Sequence, residues 1–165
     1  MEARPKIKLS LTPLDTKLEL AGKIVFVMLW ALSIYVLLQL PAIIPVHYDF
    51  AGKVDRYGSK WILLLLPALA TIIYFGLTQL NKYPHVFNYM TTITVENAER
   101  QYTIATRMMR YLKAAILVII FLIVLFTYLT TIGVVNGLSA WFLPLVFGLL
   151  LVPVVISIRQ SLKKT

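Results

Sequence analysis

Four long apolar runs separated by polar segments set the pattern of this chain. They lie at about 24–40, 61–80, 114–135 and 139–158, each close to the roughly 20 helical residues that a hydrocarbon core of about 30 Å requires. None of the four contains Asp, Glu, Lys, Arg or His. The pattern predicts an all-α integral membrane protein with four transmembrane helices. The first helix should begin ahead of its apolar run, because Thr12-Pro13-Leu14-Asp15 places a capping hydroxyl, a helix-starting proline and an acidic N3 residue in order.

The segments between the runs are patterned too. In the 81–113 connection, Thr94 can cap a helix whose first turn carries Glu96 and Glu99. Ala98, Tyr102, Ala105, Met109 and Leu112 then recur at helical spacing, which predicts an amphipathic helix running into the third span. Its basic residues Arg100, Arg107 and Arg110 would meet lipid headgroups or a cytoplasmic partner. In the 41–60 loop, Val46 to Phe50 can extend, Ala51-Gly52-Lys53 can turn, and Gly58-Ser59 can cap the second helix. The expected result is a small hairpin between helices one and two.

Composition narrows the function classes. The chain of 165 residues is 59% hydrophobic and 14% charged, against about 25% charged in an ordinary soluble domain. Its length fits one membrane domain, 1–165, with no room for a separate catalytic domain. The absence of cysteine excludes disulfides, thiolate metal sites and thiol nucleophiles. Of the 16 Lys and Arg residues, thirteen fall in 1–23, in 81–113 and in the tail (Arg159, Lys163, Lys164), against three (Lys53, Arg56, Lys60) in the 41–60 loop. Retention of basic residues on the inner side then places both termini in the cytoplasm and the loop outside, with the first span uncleaved. The net charge of +9 follows from this bias, and no nucleic-acid motif accompanies it. Spans free of ionisable residues disfavour a pump or a charged-substrate carrier, which leaves a small transporter subunit as a minor alternative. Tyr57, Trp61 and Trp141 would mark the outer interface and Tyr83 and Tyr111 the inner one. Trp30 falls mid-span, where packing between helices is its expected role.

The densest polar chemistry sits in the outer loop. Ile44-Pro45-x-His47-Tyr48-Asp49-x-x-Gly52-x-x-Asp55-x-Tyr57-Gly58-Ser59-Lys60 resembles the signature of an uncharacterised bacterial membrane-domain family related to the N-terminal part of SdpI-like immunity and receptor proteins. The resemblance extends from about 24 to 80 and implies a four-helix membrane bundle with an outer hairpin. It also implies a receptor- or immunity-like role toward a secreted peptide or another envelope partner. The Gly-x-Arg-Thr-Pro-type segment of the immunity proteins has no counterpart here.

The residues themselves allow three roles for the loop. Pro45, His47, Asp49, Gly52, Asp55, Gly58, Ser59 and Lys60 could fix the hairpin on the bundle or form a ligand-binding surface. Alternatively His47, Asp49 and Asp55 could ligate a divalent metal in a membrane enzyme, imidazole and carboxylate being suitable donors. Hydrolysis by two imidazoles is disfavoured, since one span separates His47 from His85. The expected protein is a non-enzymatic binding protein without a cofactor, in contact with the bilayer and with a peptide or protein partner.

Overall fold

The computed structural model describes residues 4–163; Lys164, counted above with the basic tail, lies outside them. Helix α1 (Pro13–Gln39) leads into strands β1 (Ile43–Tyr48) and β2 (Val54–Ser59). A 3-10 turn (Lys60–Leu64) opens helix α2 (Leu65–Leu80), and α3 (Ala98–Thr131) and α4 (Phe142–Leu162) complete the chain. The four helical stretches Pro13–Gln39, Lys60–Leu80, Ala98–Thr131 and Phe142–Leu162 are long and apolar enough to cross a membrane. These are the helices of a multi-pass membrane protein.

Helix α1 starts where its capping residues dictate. The Asp15 N–H donates to the Thr12 hydroxyl at 3.3 Å and the Thr12 N–H donates to the Asp15 carboxylate at 3.0 Å, so two otherwise orphaned donors are satisfied reciprocally. Pro13 occupies the first helical position, where its missing N–H removes no helical bond.

Helix α3 starts later than Thr94. Asn97 accepts the Thr94 N–H at 3.0 Å and donates to the Thr92 carbonyl at 2.9 Å, holding residues 94–97 as a turn. The helix then begins at Ala98, which keeps Glu99 in the first turn and leaves Glu96 outside it. From there α3 runs unbroken for 34 residues, about 51 Å at 1.5 Å per residue.

That length makes α3 the hub of the fold. It packs against α1, α2 and α4, whereas α4 packs chiefly against α3. The continuous core joins Leu29 and Val36 of α1, Ala70 of α2, and Leu117, Ile120 and Val124 of α3 with Ile44 of the hairpin. Among the described residues no α4 side chain belongs to it. Of the four helices, α1, α2 and α3 share this core, and α4 packs on α3 outside it. Trp30 takes the expected packing role, with its indole N–H donating to the Thr71 hydroxyl on α2 at 3.0 Å.

The segment before α1 lies across one end of the fold. Arg4 donates to the carbonyls of His85 and Phe87 at 3.1 and 2.6 Å and sits over the Tyr89 ring at 5.5 Å. The Tyr102 hydroxyl on α3 donates to the Pro5 carbonyl at 3.0 Å. The hairpin occupies the opposite end.

Candidate functional site

The hairpin is built largely by the residues that make its signature. Its strands pair antiparallel, Ile43 opposite Ser59, Ile44 opposite Gly58 and Pro45 opposite Tyr57, before the register shifts around His47. Pro45, buried and unable to donate to the ladder, stands where that irregularity begins. β1 starts three residues before the expected Val46 and ends at Tyr48, which releases Asp49 into the turn. There the Asp49 carboxylate accepts the Lys53 N–H at 2.9 Å, and the Asp49 carbonyl accepts the Gly52 N–H at 2.9 Å. Gly52 adopts φ +77°, a left-handed conformation that costs glycine nothing.

Two further signature residues join strand to helix. Lys60 Nζ donates to the carbonyls of Leu37 and Leu40 at 2.9 Å each, closing the C-terminal end of α1 with a cation, where the helix dipole favours one. Gly58 pairs with Ile44 across the ladder, and a Cβ there would come within 3.1 Å of the Val46 side chain. Ser59 stands at the start of the 3-10 turn but, contrary to expectation, makes no side-chain cap bond; the strand pairing continues past it, with the Lys60 N–H donating to the Ala42 carbonyl at 3.0 Å.

The hairpin is also tied to the far side of the fold. Tyr48 shares a 3.0 Å hydrogen bond with Thr127 of α3. The Gly52 carbonyl accepts the Leu138 N–H at 2.8 Å, and the turn lies so close to the α3–α4 connection that a Cβ on Gly137 would overlap the Gly52 carbonyl oxygen. What remains outward is distinctive. Phe50 is 91% exposed, and His47 Nδ1 lies 2.6 Å from Asp55 Oδ1 in a pair whose side chains are 55% and 44% exposed.

Asp49 is committed to the turn, and among the described residues no three His, Cys, Asp or Glu side chains are placed to share an ion. The structure brings His47 and Asp55 together and leaves Asp49 out.

The second polar cluster lies at the other end of the fold and was not anticipated. Arg107 Nε donates to Asp15 at 2.9 Å, Arg110 Nε to Glu19 at 3.0 Å, and Lys113 Nζ to Glu19 at 2.6 Å and to Thr78 at 2.9 Å. Lys113 is fully buried, with its ammonium 5.0 Å from the Tyr74 ring centre. Its stem passes Gly22 of α1, with Cε at ordinary contact distance, 3.7 Å, from where a Cβ would stand. Burial alone would raise the Asp15 carboxyl, but hydrogen bonds from Arg107 and Thr12 and the Arg107 charge outweigh it and hold the group at about 2.

The three arginines expected to meet lipid headgroups or a cytoplasmic partner bond within the chain. Arg107 and Arg110 bond to α1, and Arg100 donates to the Gln160 and Lys163 carbonyls at the end of α4. The physical reason is proximity: α1 and α3 run in parallel, with Asp15 and Glu19 one turn apart facing cations spaced three residues apart.

Comparison with known proteins agrees with the emphasis on the hairpin and leaves its role open. Residues 24–71 match the family model described as a domain of unknown function (DUF1648). That stretch comprises the apolar part of α1, the hairpin and the start of α2. An uncharacterized protein of the archaeon Archaeoglobus fulgidus is 33% identical over 91 residues, covering 48% of this chain and 50% of the relative. The chain thus spans about half the length of the curated relative it matches. No solved structure matches the chain. The matches place similarity to an uncharacterised domain family in the segment that carries the hairpin.

Proposed function

We propose that this protein is a membrane-embedded binding protein, non-enzymatic, that holds its hairpin outside the cytoplasmic membrane for an envelope partner. The observation that carries the proposal is the combination of firm anchoring and outward display. Lys60, Tyr48 and Gly52 tie the hairpin to α1, α3 and the α3–α4 connection, while Phe50 projects with 91% of its surface exposed beside the His47–Asp55 pair. An exposed aromatic carried on an anchored backbone suits recognition, because little backbone ordering entropy remains to be lost on binding. The signature's resemblance to SdpI-like immunity and receptor proteins supports a secreted peptide as the partner class. The distribution of basic residues supports cytoplasmic termini.

A photo-crosslinking amino acid at Phe50, compared with one at the exposed Phe75 of α2, tests the reading in intact cells. A discrete protein or peptide adduct at Phe50, absent at Phe75 and diminished by Asp55→Ala, is expected. Lipid adducts alone at both positions would overturn it.

A further inference from the structure

The peripheral position of α4 opens a cleft at the end of the fold opposite the hairpin. Leu14 of α1, Ile104, Arg107 and Tyr111 of α3, and Val152 and Ile156 of α4 line a space of about 340 Å³. Pro153 also borders it; lacking an N–H, this residue leaves the Leu149 carbonyl without its helical donor and favours a bend in α4. The walls are apolar and uncovered: Leu14, Val152 and Ile156 are 42%, 54% and 49% exposed.

Chemistry changes along the cleft. Gln160 and Ile104 connect it to a second hollow bounded by Arg100, Thr103 and Lys163. Neither hollow has an acidic residue among its described lining residues. Asp15 does touch Arg107, taking Nε and Nη2, but Nη1 has no partner among the described residues. Val152 and Ile156 belong to the apolar run 139–158, whereas Arg100, Arg107, Gln160 and Lys163 lie beyond the apolar runs. The cleft is thus apolar within the span and cationic at its end.

We propose that it holds one anionic phospholipid, with an acyl chain against Val152, Pro153 and Ile156 and the phosphate beside Arg107, Gln160 and Lys163. Basic pockets between membrane helices select such headgroups, and the volume falls within the range of small-molecule sites. A zwitterionic lipid would fill the apolar part but would bring no net charge to the cations.

Native mass spectrometry of the full chain in detergent, titrated with phosphatidylglycerol or phosphatidylcholine, provides the test. One phosphatidylglycerol should bind per chain, at least about tenfold more tightly than phosphatidylcholine. Arg107→Gln should reduce that preference, but it also cuts a contact with Asp15. Ile156→Trp is the independent variant, since it fills the cleft from an exposed position. It should abolish the stoichiometric lipid while leaving the circular dichroism spectrum unchanged. Equal binding of the two lipids, or unaltered phosphatidylglycerol binding by a folded Ile156→Trp variant, would overturn the proposal.

Discussion

Lys113 is the side chain whose surroundings are most demanding. A fully buried ammonium is tolerated only when paired, and removing one member of a buried pair costs about 3–5 kcal/mol. Glu19→Gln should therefore lower stability by about that amount in detergent melts, with much of it regained when Lys113→Met is added. A single variant that loses under 1 kcal/mol would mean that Thr78 and Tyr74 suffice for the cation. His47 presents the opposite case, a hydrogen-bonded pair with Asp55 at the surface. His47→Ala and Asp55→Ala should each cost less than about 1 kcal/mol, and EDTA should not alter the wild-type melt; a chelator-sensitive melt would restore the metal reading. The contrast shows where sequence was readable. The polar density of residues 41–60 is local and visible in one glance along the chain. Asp15 and Arg107 are 92 residues apart, and nothing in either neighbourhood names the other. Lys113 itself stands one residue before an apolar run, where it reads as an ordinary flanking charge.

At the scale of elements, short-range chemistry was legible and packing was not. Thr12, Pro13 and Asp15 mark the start of α1 because a cap is completed within four residues. Thr94 misleads because Asn97 competes for the same turn, and the peripheral place of α4 could not be read from an apolar run that resembles the other three. The α1–α3 contact has a pH dependence that follows from Asp15. Its carboxyl is held near 2 in the fold, below the ordinary value of 3.8. The resulting stabilisation is complete above about pH 4 and lost as pH falls toward 2. Melting temperature measured across that window should fall more steeply for the wild type than for Asp15→Asn. Parallel curves would remove Asp15 from the latch. At the hairpin, Gly137→Ala should separate the turn from the α3–α4 connection, since φ +120° and the Gly52 carbonyl both oppose a side chain there. The expected readout is faster proteolysis near Gly52 with the helices intact.

For the whole molecule, the unequal charge of the two ends makes topology measurable. The chain has no cysteine, so single cysteines at Lys53, Asn136 and Tyr89 can be probed with a membrane-impermeant thiol reagent. Labelling in intact cells is expected at Lys53 and Asn136 and not at Tyr89; the reverse would invert the arrangement. The pairing of α1 with α3 also has a bearing on biosynthesis. Ribosomes add about 5–20 residues per second, so the 92 residues between Asp15 and Arg107 take roughly 5–18 s to translate. During that interval α1 has been made and its two acidic residues await their cations. A nascent chain stalled after α2 should consequently leave α1 loosely held and extractable, and release past Lys113 should lock it in place.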